Sequence, residues 1–218
     1  MAPMLSRTLL VTAAVAGVTL MALAFPPFHL VPLDKARESR GEARFNAAEF
    51  ADRFWQEQLL PALPRAADAR AVLDALDRDF QAARQKYGRT VGVSSTFHLF
   101  LQGTGRIVKV DSKGMVLSLR DGNAEPEVLL PLGMIFGNTV RDATGLLDMN
   151  AFPNSQDFNA LSTELNRIVE ERVQPKLREQ AKVGSEIHFI GCASISAAAK
   201  RRMPLKVIPL HVDFLNSG

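Results

Sequence analysis

The chain has one cysteine, one tryptophan and one tyrosine in 218 residues. The single Cys192 excludes an internal disulfide, a CxxC redox pair and a zinc cluster built on thiolates. It stands in Gly-Cys-Ala-Ser-Ile, between apolar neighbours, where a small buried hydrophobe is expected and a reactive thiol is not. The shortage of aromatics bears on nucleic acid, because single-strand grooves stack bases on aromatic side chains above a basic track. Trp55 and Tyr87 fall on predicted N-terminal helices, and Phe97, Phe100 and Phe189 alternate along strands as core residues do. An excess of one charge is also missing, with 26 Lys and Arg against 23 Asp and Glu, a net +3. Their one local cluster, Lys200-Arg201-Arg202, reads as a solvated hairpin tip. No nucleic-acid partner is implied.

Recognisable catalytic and metal motifs are absent as well. The four histidines, His29, His98, His188 and His211, occur singly, and no pair has the i, i+4 spacing of a helical metal site. There is no GxSxG elbow. Gln102-Gly-Thr-Gly-Arg106 opens a strand and lacks the Lys-Ser/Thr ending of a phosphate loop. Neither a metal nor a cofactor is implied.

What is present begins with an uncharged run, Leu9–Phe25, behind a short segment that carries Arg7. Its length lies at the border between a signal-peptide core and a membrane span of about 20 residues. Residues 1–33 are expected to form a single-pass anchor in the cell inner membrane, with the rest facing the periplasm. Cleavage near Ala24, at Ala22-Leu-Ala24, is the alternative and would leave a soluble periplasmic protein. Without a cysteine near position 25, the lipid attachment of bacterial lipoproteins is excluded. From Pro26 to Arg44 the chain is Pro-rich, then charged, and residues 34–45 read as a linker.

Residues 46–92 predict a helical hairpin. Asn46-x-x-Glu49 is capping-box-like, and Phe50, Ala51, Phe54, Trp55 and Leu59 follow at helical spacing until Pro61 and Pro64. A second helix opens at Asp68 and places Val72, Leu76, Phe80, Ala83 and Tyr87 on one face, with Gly88 as its stop.

From residue 93 the period changes to two. Strands are predicted through Ile107 and Val110, through Met115, Leu117 and Leu119, and over Glu127–Gly133. A long helix follows, capped by Asn154 or Ser155, with Phe158, Leu161, Leu165, Ile168 and Val169 as its stripe and Pro175 set to kink or end it. Ser185–Ile195 and Pro204–Leu215 are two more strands. Three strands, a helix and two strands is the order of an OB-like five-stranded Greek-key barrel, an α+β fold class with its helix between strands 3 and 4. An open α+β sheet with helices on one face uses the same elements. Glycines in the first strand suit the coiling of a small barrel.

Several stretches then point to a family: HLVPLD, FADRFWQEQLLPAL, RQKYG, QGTGRIVKVD and above all IFGNTVRDATGLLDMNAFPNSQDFNALSTELN. Together they resemble the predicted periplasmic lipoproteins of unknown function, whose genes tend to lie beside those of sugar-type ABC transporters. The resemblance runs from about His29 to Leu215 and is sharpest at Gly137, Thr139, Arg141-Asp142-Ala143, Asn150, Phe152 and Asn154. It carries no established activity, and it implies an ABC transporter component as a partner. The sequence departs from the family in lacking the lipidated cysteine, and NSQDF replaces a tighter Asn-Gln-x-x-Phe spacing.

Residues 133–158 show neither period and so predict a long irregular loop, a feature that compact domains usually keep for function. Ile135, Phe136, Leu146, Leu147, Met149 and Phe152 are expected to pin it down. Asn138, Thr139, Arg141, Asp142, Asn150 and Asn154 are the candidate residues for a ligand or partner. In a purely structural role, Arg141 and Asp142 would pair, and Asn150 and Asn154 would cap the next helix. The leading expectation is a non-enzymatic, membrane-tethered periplasmic module that binds a partner or small ligand. The alternative is an envelope carbohydrate-active hydrolase using Asp142 or Asp148.

Overall fold

Strand β2 (Thr96–Asp111) sets the frame: Phe97, Leu99, Leu101 and Ile107 turn one face into the main core, as a period of two dictates. The structure is a computed structural model that describes residues 45–120, 125–196 and 204–215. The Leu9–Phe25 run, the linker up to Arg44, the Asp121-Gly122 turn and the Lys200–Arg202 cluster lie outside the described residues. Among the described residues, no helix is long and apolar enough to cross a membrane.

The remaining long strands are β3 (Gly114–Ser118), β4 (Val128–Pro131), β5 (Glu186–Ser196) and β6 (Leu205–Leu215). Pairing runs β2–β3–β4–β6–β5, with β5 also antiparallel to β2, so the pairings close a circuit. β4 and β6 are parallel and the other partners in the circuit antiparallel. Five strands were expected. Among the described residues the sheet has six, because the two-residue β1 (Ala67–Asp68) pairs in parallel with Leu101 and Gln102 of β2. So short a strand has no alternation to detect. At Gly105 a Cβ would meet the Ser118 carbonyl at 2.8 Å, so the close approach of β2 and β3 requires glycine there.

β5 and β6 are buried on both faces. Ile187, Phe189 and Ala193 enter the core under β2, while Ile190 and Cys192 enter a second apolar cluster on the other side. In β6 the parity flips at a bulge opposite Ile190/Gly191. Val207 and Val212 thus share the first cluster, and Ile208 and Leu210 the second.

Those two clusters part the expected hairpin. α1 (Ala47–Phe54), capped by Asn46, packs with the second cluster. α3 (Ala69–Arg78), capped by Asp68, and α4 (Phe80–Tyr87) cover the first. The single second helix expected here is broken at Asp79, whose carboxylate accepts the Gln81 and Ala82 N–H groups and so starts a new helix.

Neither Pro61 nor Pro175 stops its helix. α1 passes through a π turn (Trp55–Leu59) into α2 (Leu60–Ala62), which contains Pro61. The long helix α6 (Ser155–Ile168) passes through a π turn (Val169–Val173) into α7 (Gln174–Gln180), which contains Pro175. In each case the wider turn ends two residues before the proline, and the proline occupies a first-turn position, where its missing N–H leaves no bond unmade.

Candidate functional site

The segment after β4 is not structureless. It holds a short helix, α5 (Thr139–Ala143), and a 3-10 turn (Met149–Ala151). Its first part, residues 133–137, lies along the α6–α7 helix and is gripped by side chains four residues apart. Buried Gln174 accepts the Gly133 N–H (2.9 Å) and donates Nε2 to the Gly133 carbonyl (2.8 Å). A turn earlier, Glu170 accepts the Ile135 N–H (2.6 Å). Another turn earlier, Asn166 Nδ2 donates to the Gly137 carbonyl (2.9 Å).

This ladder follows from two spacings. Four helical residues advance about 6 Å, and two extended residues about 6.6 Å, so rungs at every second loop residue require an extended chain. Eight residues of regular α-helix overshoot two turns by about 80°. The π turn between Asn166 and Gln174 takes up much of that overshoot. Gly133 (φ 97°) and Gly137 (φ 87°) supply the bends at either end, a conformation that side chains resist.

Alternation then decides exposure. Ile135 is buried in the second cluster, while Met134 and Phe136 are each 76% exposed. Phe136 and Met149 therefore do not pin the segment as expected. Ile135, Leu146, Leu147 and Phe152 do pack against that cluster. Loop and α6 enclose a cleft of about 570 Å³ whose lip is Met134 and Phe136 and whose helical wall includes Ser162, Asn166 and Glu170. Ser162 Oγ and Asn166 Oδ1 are buried with no hydrogen-bond partner. Ser162 and Asn166 are only 8% and 5% exposed.

Of the six residues nominated from sequence, Asn138 alone lines this cleft. Thr139, Arg141 and Asp142 are buried beneath it. Arg141 and Asp142 pair through Nε–Oδ1 (2.6 Å) and Nη2–Oδ2 (3.1 Å), and Asn138 Nδ2 donates to Asp142 Oδ2 (2.6 Å). Arg141 also reaches the Phe158 carbonyl and Asn159 Oδ1, and lies 3.7 Å over the Phe158 ring. It thereby ties α5 to α6. His98 on β2 puts Nε2 3.8 Å from Asp142 Oδ2. Burial lowers its pKa, Asp142 opposes the shift and Arg141 adds to it.

Asn154 caps α6 by accepting the Asp157 N–H (2.8 Å). Asn150 does not share that task. It bonds back to Asp148 through its N–H and Nδ2. Asp142 is thus saturated by Arg141 and Asn138, and Asp148 caps the 3-10 turn, so both hydrolase nominees have structural partners. His188 bonds Thr104, and His211 bonds Asp213. Among the described residues, no group of three His, Cys, Asp or Glu is placed to hold a metal ion. Cys192 is fully buried, which pushes its thiol pKa up and keeps it inert.

Asn166, Glu170 and Gln174 escaped the sequence reading. Polar residues at i, i+4 and i+8 beside an apolar stripe mark a helix face but not what that face meets, so nothing local tied them to the loop.

A model of the family described as "Predicted periplasmic lipoprotein (DUF2291)" matches residues 16–213. The chain belongs to this family. Membership makes it an envelope protein, although its one cysteine is buried in β5 and can carry no lipid. Among solved structures, an OB-fold protein from Thermotoga maritima is similar, with a TM-score of 0.72 and 30% identity, over 79% of this chain and all of the other. No curated protein matches.

Proposed function

We infer that this envelope protein is a membrane-tethered periplasmic binding module, its OB-like barrel presenting the Met134–Phe136 lip and the cleft beside it to a partner or small ligand. The observation that carries this reading is the lip. Two large apolar side chains are held in solvent by a backbone that four hydrogen bonds fix in place. Exposed apolar pairs on an ordered loop mark contact surfaces, since a merely structural connector would turn them inward as it does Ile135. The resemblance to a family encoded beside ABC transporters makes a transporter component the first partner to test. The tether is the Leu9–Phe25 run.

The test is brief crosslinking in the native envelope, purification of the tagged full-length chain in mild detergent, and identification of what co-purifies. A partner captured by the native chain and lost with Phe136→Ser supports the reading. Capture unchanged by Phe136→Ser, or no partner and no ligand, sinks it.

A further inference from the structure

Five of the residues that line the cleft, Asn138, Asn159, Ser162, Thr163 and Asn166, carry neutral amide or hydroxyl side chains. Its charged lining is one residue of each sign, Arg167 and Glu170. Both already have partners. The Arg167 guanidinium donates to Glu164 (2.8 Å) and Glu171 (2.6 Å), and Glu170 accepts the Ile135 N–H. Arg178, beside the ladder, donates to Gln174 Oε1 (2.7 Å) and does not line the cleft. An ionised ligand would therefore give up its hydration without meeting an unpaired opposite charge. That favours an uncharged occupant.

The polar atoms left over narrow the class. Gly137 presents a carbonyl, so Asn166 must turn Nδ2 to it, and Oδ1 is the atom left without a partner. One turn earlier, Ser162 Oγ is also buried and unpartnered. Asn138 uses its Nδ2 on Asp142, and Asn159 uses its Oδ1 on Arg141. What remains is two amide oxygens that accept, one amide nitrogen that donates and a hydroxyl that does both. An ammonium only donates and a carboxylate only accepts, whereas a ligand hydroxyl does both. We propose that the cleft binds an uncharged compound with adjacent hydroxyls on one edge and a C–H face on the other. The hydroxyls bond Ser162 and Asn166, and the C–H face lies against Met134 and Phe136. The Ser162 hydroxyl meets the ligand by turning between staggered positions about Cα–Cβ, with the helix unmoved. A volume of about 570 Å³ is that of a small-molecule site, and the ladder holds the loop wall in place beforehand. The proposal rests on the lip and cleft being the binding site and adds the chemistry of the ligand.

The probe is trans-cyclohexane-1,2-diol, followed by saturation-transfer NMR on the full-length chain in mild detergent, with detergent alone as the blank. Three ring-matched controls accompany it: cyclohexylammonium, cyclohexanecarboxylate and cyclohexanecarboxamide. The diol should bind about tenfold or more tightly than either ion, and more tightly than the carboxamide. Ser162→Ala should weaken diol binding about three- to tenfold in a protein that melts no lower than the native one. Phe136→Ser should weaken it as well. Binding of an ion or of the carboxamide equal to that of the diol overturns the proposal. So does diol binding that Ser162→Ala leaves unchanged, which would give the buried oxygens to a bridging water. If the diol does not bind while Phe136-dependent capture of an envelope partner persists, the ligand class is wrong and the binding-module reading stands. If both fail, both readings fall.

Discussion

Arg141 and Asp142, neighbours in the chain, close a two-pronged ion pair on each other inside the protein, with the Asp142 side chain only 1% exposed. A buried pair of this kind is sensitive to losing one partner, because the survivor keeps its charge without compensation. Arg141→Leu should therefore destabilise the fold by about 3–5 kcal/mol, measured by urea denaturation. The double variant Arg141→Leu/Asp142→Leu should be less damaged than the single. A double variant that loses as much as the single variant or more would mean that the pair is not the source of the loss.

His98 gives the fold a pH dependence of definite sign. Its pKa is lowered in the folded protein, mainly by burial, whereas the unfolded chain titrates near the ordinary histidine value of about 6.5. Above that value neither state binds the proton, and the stability is fully present. As pH falls below it, the unfolded state gains a proton that the fold refuses. Stability then drops by up to about 1.4 kcal/mol per pH unit, until the folded pKa is reached. Asp111 and Asp213, with lowered pKa values, add their losses only in the carboxylate range below. His98→Gln should flatten the melting temperature between about pH 6.5 and 5. An unchanged slope there would count against His98 as its origin.

Gln174→Leu removes both hydrogen bonds to Gly133 and leaves that backbone unpaired. A loss of about 1–3 kcal/mol is expected, with faster hydrogen exchange at Gly133 and Ile135. Exchange confined to Gly133 would mean that the rungs act independently and the loop is not held as a unit.

Ser162→Ala should do the opposite of most buried substitutions. Its hydroxyl is buried without a partner, so removing it should raise stability or leave it unchanged, by about 1 kcal/mol at most. A clear destabilisation in thermal melts would show that the hydroxyl is satisfied in solution.

The elements were legible because their signals are local. Asn154, Asp68 and Asn46 accept N–H groups at the helix starts that their sequence positions indicated. The period-two runs of β2 and β3 appear where alternation placed them, β5 and β6 appear within the apolar runs read as strands, and the Arg141–Asp142 pair needed only adjacency. Breaks were harder to see. Asp79 interrupts a helix whose apolar stripe runs through it unbroken, and Pro61 and Pro175 are absorbed by π turns that no residue type announces.

What the sequence by itself determined is therefore the order and kind of the main elements, their caps and the family, since each depends on residues within a few positions of one another. Tertiary structure decided the site. The rungs join residues 41, 35 and 29 positions apart, and no local pattern encodes a side chain that meets a distant backbone. It also decided that Ile135 turns inward and Phe136 outward. Both are hydrophobic, and only the edge of the loop that the helix grips distinguishes them.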